Sequence, residues 1–174
     1  MPHLSKGLIQ VYTGAGKGKT TTAIGQAIRA AGQGLRVCIF QFLKSEPTGE
    51  QKILDQLEGI KIVQSDYRCL HPKNEIQIKR LKDASRRLLD KACNSMEEYD
   101  IIILDEINVA LHLSLLETQD VLKLFNNKPG NLELILTGRD CPKEILEVAD
   151  LVTEMKRIKH YYDKGIEARE GIEY

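Results

Sequence analysis

The sequence predicts an α/β fold of three layers, with helices on both faces of a mostly parallel central sheet of about six strands. Three observations carry this. Apolar runs of four to seven residues alternate with stretches of helical periodicity. A glycine-rich segment ending in Gly18-Lys19-Thr20 stands between the first apolar run and the first helical stretch. An unbroken run, Ile101-Ile102-Ile103-Leu104, ends in two carboxylates, Asp105 and Glu106. That is the pattern of a strand buried on both faces whose carboxyl end opens on a polar cleft.

In chain order, the first strand is read over residues 7–13. The first helix runs from Gly18 to Ala31; it is alanine-rich, and Gly32 and Gly34 supply a stop signal. A second strand spans residues 36–42 and a shorter third spans 60–63. A long helix is predicted over 75–96, where Ile76, Ile78, Leu81, Ala84, Leu88, Leu89 and Ala92 fall near helical spacing. The fourth strand is residues 99–105, and a helix follows over 118–126. Residues 132–137 form the fifth strand, Pro142 opens a short helix to Val148, and residues 150–154 form the sixth strand. The stretch 159–174 is polar and fits no period. No repeat or low-complexity linker interrupts the pattern, so residues 1–174 read as one domain.

Thr13-Gly14-Ala15-Gly16-Lys17-Gly18-Lys19-Thr20 follows a strand and opens a helix, the context in which a phosphate loop works. Its glycines let successive amides turn inward on phosphate oxygens, and the helix N-terminus adds its positive end. Lys19 supplies a cation and Thr20 a hydroxyl able to ligate Mg²⁺. The fold is therefore expected to be P-loop-like. The general pattern G-x-x-x-x-G-K-[ST] places its first glycine where Thr13 stands, and an extra cation, Lys17, is present. Asp105 and Glu106 are expected beside this loop as holders of the metal or its waters; the structural alternative is that Asp105 caps the next helix. Arg139, just after the fifth strand, is placed to reach phosphate in the same cleft, whereas spacing alone makes Arg29 a solvated helix residue.

Composition excludes several classes. Lys plus Arg and Asp plus Glu both number 25, and aromatics are 5% with no Trp, which argues against a polybasic or base-stacking nucleic-acid binder. No apolar run approaches the roughly 18 residues that cross a bilayer, and residues 1–6 lack a signal-peptide core. The four cysteines, Cys38, Cys69, Cys93 and Cys141, are far apart, as reduced thiols of a cytoplasmic protein would be, and neither they nor the four histidines show zinc-ligand spacing.

From about Gly7 to Tyr174 the chain resembles the P-loop cob(I)alamin (corrinoid) adenosyltransferases. The resemblance is carried by Val11 to Thr21, similar to the family's TGNGKGKTT, and by Arg29-Ala-Ala-Gly-Gln-Gly34 leading to Gln41-Phe42-Leu43-Lys44. It continues in Leu104-Asp105-Glu106, Thr137-Gly138-Arg139, residues 149–155, Lys159-His160 and the ending Gly171-Ile-Glu-Tyr174. The family also has Thr at the position of Thr13. The resemblance implies that Co(I) of a reduced corrinoid attacks the ribose 5′-carbon of ATP and that inorganic triphosphate leaves, in cobalamin biosynthesis or salvage. It implies nucleotide contacts from Gly14, Ala15, Gly16, Lys17, Gly18, Lys19, Thr20 and Thr21. Triphosphate contacts fall to Arg29 and Arg139, a Mg²⁺ role to Thr20 and Glu106 with Asp105 alongside, and catalytic weight to Lys19, Thr20, Glu106 and Arg139. It further implies a homodimer and an external electron donor, such as a flavoprotein, because no flavin or iron–sulfur motif is present. The competing readings are a P-loop kinase or ATPase releasing ADP, and a non-catalytic nucleotide- or corrinoid-binding protein.

The chain departs from the family in three places. Ala15 replaces the loop Asn, and only six residues precede the first strand where some members carry an N-terminal arm. Cys69 and His71 occupy the positions of a Phe-x-Trp pair that helps displace the corrinoid's lower ligand in some members. Tyr67 is one candidate for that wedge; a substrate without a strong lower ligand is the alternative, and cobalt ligation by Cys69 or His71 a third. Charge is also unevenly placed: residues 1–45 carry six Lys or Arg and no acid, about +6, and the rest of the chain about −6. The loop thus lies in a segment suited to a polyanion.

Overall fold

The computed structural model describes residues 4–46, 48–69 and 72–173. Six strands form one sheet: β1 (Ile9–Thr13), β2 (Val37–Gln41), β3 (Ile60–Gln64), β4 (Ile101–Asp105), β5 (Glu133–Thr137) and β6 (Leu151–Glu154). Their order is β3-β2-β4-β5-β1-β6, and every pairing is parallel rather than mostly so. Parallel strands require crossovers, and these carry α1 (Lys19–Ala31), α2 (Gln51–Leu54), α3 (Glu75–Asn94), α4 (Ile107–His112), α5 (Thr118–Asn127) and α6 (Lys143–Val148).

Alternation along the strands sorts the core into two halves. Ile102 and Leu104 of β4 join Val11, Phe40, Leu134 and Leu136 beneath α3, α4, α5 and α6. Ile101 and Ile103 face the other way, with Tyr12, Val37, Ile39 and Ile135, beneath α1 and α2. On α1 the buried stripe is Ala23, Ala27 and Ala30, small side chains that let the helix lie close on the sheet. Asn74 caps α3, its side-chain oxygen accepting from the Gln77 amide at 2.9 Å. The stop after α1 is made by Gly34, at φ 80°, while Gly32 stays helical at φ −61°.

Two short helices, α2 and α4, lie where no helix is predicted from periodicity. Four and six residues are too few to show a period, and α4 is buried at Ile107, Asn108, Ala110 and Leu111, so it reads as an apolar run. The polar end holds a 3-10 turn at Tyr161–Lys164. At the amino edge of the sheet, Glu133 accepts from the Leu8 amide at 2.6 Å, Asp150 accepts from the Ile9 amide at 2.8 Å, and Lys128 donates to the carbonyls of Gly7 and Leu132. The amino edge is pinned by side chains, which leaves the carboxyl edge to carry the polar cleft. Among the described residues no helix is long and apolar enough to cross a membrane.

Candidate active site

The carboxyl ends of β2, β4 and β5 converge on one carboxylate. Asp105, 1% exposed, accepts from the Thr20 hydroxyl at 2.8 Å and the Thr137 hydroxyl at 2.7 Å on Oδ1. Its Oδ2 accepts from Gln41 Nε2 at 3.2 Å and Lys44 Nζ at 2.8 Å. A carboxylate offers about four lone-pair positions, and all are taken. Asp105 therefore ties α1, β2, β5 and the loop after β2 together. It does not cap α4, whose N-cap is Glu106 in a left-handed conformation at φ 64°.

The glycine-rich loop is shaped by the chain leaving β6. The Met155 amide donates to the Thr13 carbonyl at 2.8 Å, and the Gly16 amide donates to the Met155 carbonyl at 2.6 Å. A Cβ on either Gly14 or Gly16 would stand 2.6 Å from the Met155 carbonyl oxygen. Gly14 and Gly18 also hold φ of 96° and 114°, which other residues reach only under strain. Lys19, 8% exposed, turns its ammonium back onto the carbonyls of Gly14 and Gly16 at 2.7 and 2.8 Å. Burial lowers its pKa, with Arg139 adding to the effect while Glu106 and Asp140 oppose it. Lys17 instead reaches the Ile172 carbonyl at 2.8 Å, which brings the chain's end over the loop.

Together these elements enclose an open cleft of about 1020 Å³. Its lining includes Gly16 to Thr21, Lys44, Gly49 and Glu50, Glu106 and Arg139, and His160 with residues 171–173. Burial, and then the charge of Asp105, raise the Glu106 pKa, with Lys44, Lys19 and Arg139 pulling it back. Burial opposes the charge on Lys44, but Asp105, through charge and hydrogen bond, and then Glu106 and Glu50 raise its pKa overall.

A hard cation carried in on polyphosphate fits this donor set. Thr20 and Glu106 offer oxygens at the cleft, and Mg²⁺ asks a protein for one or two carboxylates and takes its remaining ligands from phosphate and water. A cluster of three or more His, Cys, Asp or Glu able to hold a metal is absent among the described residues.

Most of the expected site residues meet here: residues 16–21, Glu106 and Arg139 line the cleft, and Asp105 lies beneath it. Gly14 shapes the loop from behind, and Ala15 is exposed. Others lie elsewhere. Arg29 is on an exposed face of α1, ten residues and so about 15 Å along the helix from Lys19, bonded to Gln26 at 3.5 Å. Tyr67 and Cys69 pack on the core, with the Arg80 guanidinium 5.9 Å from the centre of the Tyr67 ring, and neither lines the cleft. His71 lies outside the described residues. Sequence reasoning assigned no part to Gln41, Lys44, Thr137, Met155 or the last residues. Only the third dimension brings them to Asp105 and the loop, although Gln41, Lys44 and Thr137 all stand just past or at predicted strand ends, a usable signal.

Fold and cleft together define a P-loop-like three-layer α/β protein whose polar site opens at the carboxyl edge of a parallel sheet. The chain belongs to the ATP:corrinoid adenosyltransferase family (BtuR/CobO/CobP), whose model matches residues 5–174. It is 34% identical over 176 residues to the corrinoid adenosyltransferase of Escherichia coli K12, covering 97% of this chain and 86% of that one. It is similarly 34% identical over 176 residues to the corrinoid adenosyltransferase CobA of Salmonella typhimurium, with the same coverage. To the Pseudomonas aeruginosa corrinoid adenosyltransferase it is 32% identical over 180 residues, covering 97% of this chain and 84% of the relative. The family's activity is ATP-dependent adenosyl transfer to a corrinoid, in cobalamin metabolism.

Proposed function

We propose that this cleft places the 5′-carbon of ATP in line with Co(I) of a reduced corrinoid and stabilises the departing triphosphate. A cobalt–carbon bond forms with the electron pair of Co(I), and the carbon–oxygen bond breaks with its pair going to triphosphate. The leaving group gains a negative charge, so catalysis here is charge stabilisation. One observation carries the reading: Lys17, Lys19 and Arg139 line the same cleft as the loop glycines, Thr20 and Glu106.

In this reading Lys19 leaves the Gly14 and Gly16 carbonyls for phosphate oxygens; its present partners are neutral and the residue is already buried. Lys17 meets phosphate from the rim, and Arg139 binds it from the far side of Glu106. Mg²⁺ would be held by the Thr20 hydroxyl and the Glu106 carboxylate and would spread phosphate charge. Asp105 acts through Thr20, orienting its hydroxyl proton inward so that the oxygen lone pairs face the cleft. Co(I) has no proton to lose, so the site needs no general base. Arg29, to which the resemblance gives a triphosphate contact, stands on an exposed face of α1 outside the lining of the cleft. Tyr67 and Cys69 pack on the core and line no part of the cleft, so the Tyr67 wedge and a corrinoid without a strong lower ligand both remain readings of this segment. An external electron donor and a homodimeric assembly belong to the same reading and are supported by the family resemblance, and a cytoplasmic setting by the scattered, unpaired cysteines.

Lys19→Met tests it. The variant is expected to lose adenosyltransfer kcat by about a hundredfold while keeping the fold, the scale of removing one charge-stabilising donor. An unchanged kcat would contradict the assignment.

A further inference from the structure

We propose that Lys44 is a positioning residue that occupies Asp105 Oδ2 and so prevents Asp105 from becoming a direct metal ligand. The inference deepens the reading above and rests on it. Three observations carry it. The Lys44 ammonium pairs with Asp105 Oδ2 at 2.8 Å, and its side chain is only 25% exposed while that of Asp105 is 1% exposed. The residue before it, Leu43, holds φ 60°, a left-handed conformation that is strained for a non-glycine residue. Strain of this kind persists where the surroundings enforce it, and Leu43 immediately precedes the ion-paired lysine. Finally, Lys44 lines the cleft, whereas Asp105 does not and lies beneath it.

Without Lys44, Asp105 Oδ2 would keep only the Gln41 amide at 3.2 Å, leaving one lone-pair position open beside the Glu106 carboxylate. Such a pair chelates a divalent cation directly and pulls it off the Thr20 hydroxyl. With Lys44 in place, Asp105 has donors on both oxygens and is confined to orienting Thr20 and Thr137. The device sets where the cation can sit: on Thr20 and Glu106, facing phosphate. The same contact ties Lys44, in the loop after β2, to β4, and Gly49 and Glu50 further along the chain also line the cleft.

The test is Mn²⁺ binding to nucleotide-free protein, followed by electron paramagnetic resonance, for wild type, Lys44→Met, Lys44→Arg and Lys44→Met/Asp105→Asn. Lys44→Met is expected to bind Mn²⁺ at least about tenfold more tightly, as one positive charge leaves a half-buried site. The double variant should lose that gain, and Lys44→Arg should bind like wild type. In adenosyltransfer Lys44→Met should lower kcat more than it alters KM for ATP, with Lys44→Arg restoring part of the loss. Equal Mn²⁺ binding in wild type and Lys44→Met would overturn the proposal, as would a gain that survives Asp105→Asn. The Mn²⁺ readout does not depend on turnover. A wild-type protein that makes no adenosylcorrinoid sinks the proposed function, whereas an unmoved Mn²⁺ affinity sinks only the role of Lys44.

Discussion

Gly16 shows how narrowly a single position is specified. Its amide is bonded to the Met155 carbonyl, and a Cβ would stand 2.6 Å from that oxygen and 2.9 Å from the Lys156 oxygen. Both neighbours are backbone, so the loop itself must move. Gly16→Ala is expected to raise KM for ATP at least about tenfold with the circular dichroism spectrum unchanged. Gly25→Ala is the control: nothing lies within 4 Å of its added Cβ, and it should leave KM alone while stabilising the protein by about 1 kcal/mol. Equal KM values for the two variants would contradict the packing account. The cysteines give a pH prediction. Burial pushes the Cys38 and Cys141 thiols from 9.0 up to about 12. Both are expected to resist iodoacetamide at about pH 8, where about one in ten thousand would be thiolate. The unfolded chain releases these protons from about pH 9 upward while the native protein keeps them, so stability is lost as pH rises toward 12. Urea midpoints at about pH 8 and about pH 10.5 should show that fall, smaller in a Cys38→Ala/Cys141→Ala variant. The loop residues, Asp105 and Arg139 were legible as a site because their chemistry is local to strand ends. Lys44 was visible only as part of a motif, since its partner is 61 residues away.

At the scale of elements, the strands and long helices could be read because burial on two faces makes continuous apolar runs and α1 and α3 show a clear period. The short helices α2 and α4 could not. Strand pairing was also hidden: nothing in the sequence says that β1 lies between β5 and β6. That placement brings the Met155 carbonyl onto the glycine-rich loop, and the equally hidden β4–β5 pairing brings Thr137 onto Asp105. The approach of β1 to β5 has its own tight point at Gly7, where a Cβ would meet the Leu132 carbonyl oxygen at 2.0 Å. Gly7→Ala must separate the two chains locally. It is expected to destabilise the protein by about 2–4 kcal/mol, measured by urea unfolding, and a change under about 0.5 kcal/mol would contradict the close approach.

Across the whole molecule, the balanced net charge hides a division of labour. The acid-free first 45 residues supply Lys17, Lys19 and Lys44 to the cleft, and the acidic remainder supplies Asp105 and Glu106 to hold and space them. The sheet's amino edge is tied by Glu133, Asp150 and Lys128, so the carboxyl edge alone is left as a charged opening. An arrangement that stabilises a departing triphosphate differs in its products from one that cleaves a terminal phosphate, and products therefore test the account most directly. The protein should be incubated with ATP, Mg²⁺ and chemically reduced cobalamin or cobinamide, and the phosphates and corrinoid resolved by chromatography. The account predicts adenosylcorrinoid and inorganic triphosphate in equal amounts; ADP with phosphate, or bound ATP that is never converted, would contradict it.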